Sequence, residues 1–362
     1  MMGPSTGLQT ALNKMREMSV SEGSIYHQYV PIITDLTSIG EFGTPILEME
    51  DVRNEFISKL VKRIAYTQIT SKMFNNPLAQ LEGEQVPLGY AGQDIFVNRA
   101  RGRKFNVEDF AGLLQKYESD VKVQYQTVNM DVQYPVSITR AKIKNAFVSW
   151  GALEEFINGI TQSLYAGASI DQYNWTKALV SNAYRNGHTI NKIVDAPTDA
   201  GKAKAFVKVA REYFMNFQTP TSDFNAWAKV NTDDDKAIIT WTDPEDVVFL
   251  IRNDVLAELD IEVMASAFHI DSAKLYGRII GVKDFDIYND EGEKVFDGSA
   301  ILGIMADKNW FKIKSQDVEM DVFFNPNNRV YNYYLNVVKM YNYSLFANAV
   351  VFATEEPSDY SY

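Results

Sequence analysis

The chain has no cysteine and only three histidines among its 362 residues. The first absence removes disulfides, thiolate zinc sites and cysteine nucleophiles together. The second leaves little imidazole for acid–base chemistry, and His27, His188 and His269 stand far apart without metal-ligand spacing. Long apolar runs are lacking too. None reaches the roughly 18 residues of a membrane-spanning helix, and Met1–Thr10 has neither the basic nor the apolar region of a secretion signal, so a soluble, unsecreted product is expected. Nucleophile elbow, phosphate-binding loop and dinucleotide fingerprint are all missing.

Positive charge is in deficit, with 35 Lys and Arg against 47 Asp and Glu and a net charge of -12, which opposes tight wrapping around nucleic acid. The carboxylates form no sorted acid–base set. Asp233-Asp234-Asp235 lacks the spacing and ligand variety of a calcium loop and reads as a solvated acidic turn. Glu154-Glu155, Glu48-Met49-Glu50 and Asp243-Pro244-Glu245-Asp246 are adjacent in sequence, which does not divide acid from base roles. No catalytic residue, cofactor or metal ligand is assigned.

What is abundant is aromatic: 20 tyrosines and 21 phenylalanines in a chain that is 46% hydrophobic, which favours a large core and large contact surfaces. Trp310–Phe324 halts at the turn composition Asn325-Pro326-Asn327-Asn328. A strand pattern resumes at Val330, with Tyr331, Tyr333, Leu335, Val337 and Tyr341 on one phase, predicting a long strand with one buried face. Residues 1–50 are punctuated by Gly and Pro. A helix is expected over Thr6–Met18, and Ser24–Thr44 reads either as an arm laid across another surface or as an amino-terminal segment packed on its own domain. Asp51–Ile69 has helical periodicity.

The stretch Asp94–Tyr134 is the least compact by pattern. A strand at Ile95–Val97 precedes Arg99-Ala100-Arg101-Gly102-Arg103-Lys104, a basic cluster suited to phosphate or, more commonly, to solvent or acidic protein surface. Phe105–Lys116 reads as a short helix or an elbow. Val121–Val136 alternates, but its two phases exchange character midway, as in a twisted or projecting hairpin. Thr139 then caps a helix running to Leu164, in which Gly151 and Gly159 would be explained by close approach to a sheet. A second helix starts at Ser169 or Asp171 and stops before Asn186-Gly187. A central α+β unit follows, with helices at Gly201–Asn216 and Val255–Phe268 and strands at Ala237–Thr242, Val247–Ile251 and Ile279–Val282. Ala300–Ala306 is expected to return the chain to the first domain.

This order of elements, with Asn325-Pro326-Asn327-Asn328-Arg329-Val330-Tyr331 leading into Asn342-Tyr343-Ser344-Leu345-Phe346, resembles the major capsid protein of tailed double-stranded DNA bacteriophages, of the small podovirus and siphovirus type. The resemblance implies an α+β, HK97-like major capsid protein fold. Its parts would be an N-terminal arm (1–50), a first peripheral part (51–87), an extended loop (88–136), a peripheral domain with a long helix (137–189), an axial domain (190–305) and peripheral C-terminal strands and tail (306–362). A separate surface domain is not expected. Pentamers and hexamers would build an icosahedral shell, with contacts between copies through Tyr26, Tyr29 and Ile32 of the arm and Arg99, Arg101, Arg103, Lys104 and Phe105 of the loop. Implied partners are the chain itself, scaffolding protein, portal, minor capsid or decoration proteins, and packaged DNA held by confinement; no membrane is involved. The implied location is the virion shell, assembled in the host cytoplasm. Two alternatives stand beside it: a tail or baseplate protein forming rings or tubes, and a glycan hydrolase with opposed carboxylates roughly 5–10 Å apart in a cleft.

Overall fold

The computed structural model describes residues 4–21, 24–64, 74–87, 92–100, 102, 116–231, 237–259, 278–289 and 291–357. They divide into two compact units, each assembled from separated stretches of chain.

The first unit comprises Met1–Asn76, Met130–Gln172 and Ser315–Lys339. Helices α1 (Thr6–Ser21), α2 (Tyr26–Tyr29), α3 (Ile39–Glu48) and α4 (Glu50–Ile64) open it. The α3 start is a capping box, in which Ser38 Oγ accepts from the Glu41 amide and the Glu41 carboxylate accepts from the Ser38 amide, so two helix-end donors are satisfied at once. Strand β3 (Met130–Thr139) lies antiparallel to β11 (Val330–Tyr343), with Val330 opposite Thr139 and Lys339 opposite Met130. Strand β10 (Phe311–Asn325) flanks β11 on its other side. The Asn325–Arg329 turn joins them, with Arg329 at φ 53° and the Asn325 side chain accepting from the Asn327 amide. The predicted buried face of β11 is present: Tyr331, Tyr333, Leu335 and Val337 join one core with Phe42, Phe56, Phe147 and Trp150. Phe42 sits 5.9 Å from Phe56 and 5.5 Å from Trp150, ring centre to ring centre.

Of the two readings of Ser24–Thr44, the second holds within this unit: the segment is folded onto the unit's own core, because Asn13 bonds both ways to the Ile33 backbone and Arg16 donates to the Val30 carbonyl, tying it to α1. The excursion ends at Asn129 rather than near 136. The exchange of phases after Val121 marks the chain leaving one sheet at Gln126 and entering another at Met130.

The second unit comprises Pro77–Asn129, Tyr173–Lys314 and Met340–Tyr362. Its main sheet has the order β4–β12–β9–β5–β6, from Ile190–Ile193, Ala349–Ala353, Ile301–Asp307, Val247–Arg252 and Ile279–Val282. Ala300–Ala306 therefore does not return to the first domain. Every residue of β9 is buried, and it pairs antiparallel with β12 and β5 as the middle strand, which suits its unbroken apolar run. The terminal stretch likewise divides, since β12 belongs to this sheet. Helix α7 (Ala200–Phe217), capped by Asp199, lays Phe206 against Phe249 and Phe352.

Short α5 (Arg140–Ala146), capped by Thr139, precedes α6, a single helix over Trp150–Arg185 where the periodicity predicts two. A Cβ on Gly167 would meet the Tyr134 ring at 3.6 Å, an ordinary van der Waals contact. Gly151 and Gly159 face no sheet: a Cβ on Gly159 would meet nothing within 4 Å, and one on Gly151 only its neighbour Ser149. The predicted stop at Asn186-Gly187 is present. Gly187 takes φ +69° and donates to the Tyr184 carbonyl at 3.1 Å, while His188 donates to that of Ala183 at 2.8 Å, closing the helix end. The strand expected at Ala237–Thr242 is reduced to a single bridge between Thr240 and Thr221. Of the helix expected from Val255, only α9 (Asn253–Glu258) falls within the described residues, as do neither Asp233–Asp235 nor most of Phe105–Lys116.

Candidate assembly surface

Within the second unit, β1 (Gly92–Val97) and β2 (Val121–Gln126) form a separate two-stranded antiparallel sheet. Their pairing sets Gln93 opposite Tyr125, Ile95 opposite Val123 and Val97 opposite Val121, so one face carries five apolar or aromatic side chains. All five are exposed, Ile95 at 56%, Val97 at 60% and Tyr125 at 70%.

The opposite face is anchored. The Gln124 amide donates to the Tyr343 carbonyl at 2.8 Å and accepts from the Leu345 amide at 2.8 Å, replacing a strand partner with a side chain. Asp94 pairs with Lys312 at 3.2 Å and accepts from Ser344 Oγ at 2.6 Å. Phe96 stacks on Phe346 at 5.6 Å, and Trp227 lies against Phe346 at 4.9 Å. The hairpin is thus fixed on its polar side and uncovered on its apolar side, an inversion of ordinary burial.

Near this anchor lies a cavity of about 340 Å³ lined by Gln124, Asn129, Trp175, His188, Tyr341 and Tyr343 among others, without a carboxylate. His188 accepts from or donates to the Tyr343 hydroxyl at 2.7 Å, and burial, with Lys229 nearby, holds its imidazole below the ordinary value. The paired carboxylates a glycan hydrolase requires are not among the residues lining this cavity. Among the described residues no group of three His, Asp or Glu is placed to hold a metal, and no helix is long and apolar enough to cross a membrane.

Of the residues expected to touch neighbours, Tyr26, Tyr29 and Ile32 belong to the first unit and Arg99 to the second. Tyr26 is a correction: it is fully buried in its own unit, stacked 5.9 Å from Phe56, and presents nothing to another copy; burial also pushes its phenol far above the usual range. Tyr29 and Ile32 are exposed at 48% and 60%. Arg99 is exposed just past β1, whereas Arg101, Arg103, Lys104 and Phe105 lie outside the described residues. The five hairpin residues were missed, although the alternation of Val121, Val123 and Tyr125 was already legible.

Two solved phage structures contain chains with a similar fold. A chain in the capsid structure of Staphylococcus phage Andhra matches with a TM-score of 0.62, covering 80% of this chain and 88% of that one at 12% identity. A chain in the structure of the head fiber and inner core protein of bacteriophage P68 gives 0.58 over 80% and 88%, also at 12% identity. The fold is that of the HK97-like capsid class.

The model of the Phi29-like phage major capsid proteins matches residues 12–353, and the chain belongs to that family. The major capsid protein of Bacillus phage B103 is 31% identical over 336 residues, 91% of this chain and 70% of that protein. For Bacillus phage PZA the figures are 29% over 357 residues, 97% and 74%. For Streptococcus phage Cp-1 they are 26% over 352 residues, 95% and 94%. The chain is a shell-forming structural protein of tailed double-stranded DNA phages, residing in the virion capsid, and its role is structural rather than enzymatic.

Proposed function

We propose that the chain assembles as pentamers and hexamers into an icosahedral head, and that each β1–β2 hairpin completes its burial against a neighbouring copy. The single observation that supports this is the exposed face of Ile95, Val97, Val121, Val123 and Tyr125. A free two-stranded sheet is marginal in water, and each apolar side chain moved from water into a contact contributes on the order of 1–3 kcal/mol. Tyr29, Ile32 and the basic run Arg99–Lys104, with Phe105, supply further contacts. In this reading the first unit is the peripheral domain, and the five-stranded sheet of the second belongs to the axial domain around which subunits meet. The β1–β2 hairpin is the extended loop. Scaffolding protein, portal and minor capsid or decoration proteins act with the chain in the host cytoplasm, and DNA is retained by confinement because the acidic chain repels phosphate.

Electron microscopy of the purified chain, alone and with scaffolding protein and portal, tests the reading. Closed shells with five- and six-fold clusters are expected, and Val97→Asp with Tyr125→Asp should leave a folded chain that forms none. Open tubes or rings from the unaltered chain would favour the tail or baseplate alternative. Normal shells from the double variant would remove the hairpin from the contact.

A further inference from the structure

The last turns of α6 turn one side toward the cavity beside the hairpin anchor. Trp175, Leu179, Asn182 and Asn186 follow one another at helical spacing, which stacks them along one face of the helix end, and all four line the cavity. Every lining residue belongs to the second unit. The rest of the wall is fixed by its own bonds. Asn129 accepts from the Tyr341 amide at 2.8 Å and donates to the Tyr341 carbonyl at 2.6 Å, Tyr343 stacks on Trp310 at 5.4 Å, and the Tyr343 hydroxyl engages His188 at 2.7 Å. Trp175 lies against Tyr341 with ring centres 5.7 Å apart and a tilt of 35°, so the two form an aromatic corner. Among the described residues, the carboxamides of Asn182 and Asn186 and the Trp175 indole N–H have no hydrogen-bond partner. Both asparagines are exposed and Trp175 is half-buried. The cavity therefore combines a rigid wall with polar groups that are still unengaged.

We propose that this cavity binds a neutral pyranose ring, the end unit of an uncharged glycan, and holds it without cleaving it. Its volume of about 340 Å³ stands at the small end of ligand pockets, which run roughly from 300 to 1,000 Å³. No Lys, Arg, Asp or Glu lines it. A phosphate or carboxylate entering it would shed water without meeting a counter-charge, because Lys229, which stands near His188, already donates to the Thr189 carbonyl at 3.0 Å. A flat base is disfavoured on geometry. Two rings that clasp one must stand about 7–8 Å apart, twice a carbon contact, whereas Trp175 and Tyr341 touch each other. Their corner instead takes the C–H face of a puckered ring. The hydroxyl edge of that ring then meets Asn182 and Asn186, whose carboxamides each set donors and an acceptor side by side, as neighbouring hydroxyls do. With no carboxylate on the wall there is neither acid nor base for hydrolysis, so the sugar leaves intact.

Titration of the unassembled full chain with methyl glucopyranoside, methyl galactopyranoside and N-acetylglucosamine tests the assignment, read by calorimetry and by saturation-transfer NMR of the sugar protons. At least one should bind with a dissociation constant on the order of 1 mM, and saturation should concentrate on the C–H protons of one ring face. Glucuronate, which adds a carboxylate to the same ring, should bind at least about tenfold more weakly than glucopyranoside. Asn182→Leu and Asn186→Leu should each weaken binding roughly three- to tenfold. Both positions are exposed, so circular dichroism should find these variants folded. Trp175→Phe keeps a ring in the corner and removes the indole donor, and should act in the same direction. No binding of any of the three sugars up to about 100 mM overturns the proposal. Binding that none of the three variants alters places the sugar elsewhere and overturns it as well. Uridine bound in preference to the sugars would give the cavity to a nucleobase, and glucuronate bound as tightly as glucopyranoside would refute its selection of neutral ligands.

Discussion

The helices of residues 6–64 and the hairpin of residues 92–126 place their apolar residues in opposite settings. In the helices Phe42, Phe56 and Ile57 are inaccessible to solvent, enclosed by their own unit. In the hairpin Ile95, Val97 and Tyr125 are each more than half exposed, while polar Gln124 and Asp94 are turned inward and bonded. Alternating or periodic apolar residues announce a surface to be covered, yet the pattern is the same whether the cover comes from within the chain or from another copy. Only the fold separates the two: it encloses the apolar residues of the N-terminal helices and leaves those of the hairpin open, which is why association is proposed for the hairpin.

The contrast can be broken or sharpened by substitution. Phe56→Ala should have the largest effect on the subunit, about 3–5 kcal/mol from lost burial and the remaining cavity, read from denaturant unfolding of the unassembled chain. Equal stability in that variant would mean the helices do not carry the core. Gln124→Leu should cost less, about 1–3 kcal/mol, because the Tyr343 carbonyl and Leu345 amide lose their partner. Faster hydrogen exchange at the Leu345 amide would locate the damage at the hairpin's anchor.

Titration of His188 should have a smaller effect still. Burial, then Lys229, depresses its folded-state pKa below the ordinary 6.5. The unfolded chain therefore takes up the proton first. The contribution of the neutral ring is full above that value and is lost as pH falls from 6.5 through the folded pKa. Unfolding midpoints measured between about pH 7 and 5 should decline, and His188→Gln should flatten the decline. Tyr125→Asp should change subunit stability least, within about 0.5 kcal/mol, because the side chain touches mostly solvent. Its effect should appear in shell yield instead, and a large loss of subunit stability would dissolve the distinction between the two regions.

Much of the local structure was legible. The Thr139 cap, the stop at Gly187, the Asn325–Arg329 turn and the tyrosine-lined face of β11 each rest on short-range chemistry that a few residues determine. Partner choice was not legible. Ala300–Ala306 announces a buried strand, but nothing in it says which sheet will accept it, and it became the middle of the second unit's sheet. Tyr26 and Tyr29 are three residues apart on one short helix with similar chemistry. One is enclosed and the other exposed, because the direction in which α2 meets α4 is a property of tertiary packing. The open apolar face of the hairpin was partly legible in the alternation of β2. It was overlooked because exposure, which makes it notable, is not a property of sequence.

Each unit is stitched from three separated pieces, and the first needs Tyr331 and Tyr333 to close over helices translated some 280 residues earlier. At ribosomal rates of about 5–20 residues per second, the helices wait roughly 14–56 s for the strand that seals them. Until then the aromatic face around Phe42 lacks its lid. Translation order thereby acts as a clock for this core, which can close only after Tyr331 and Tyr333 have left the ribosome.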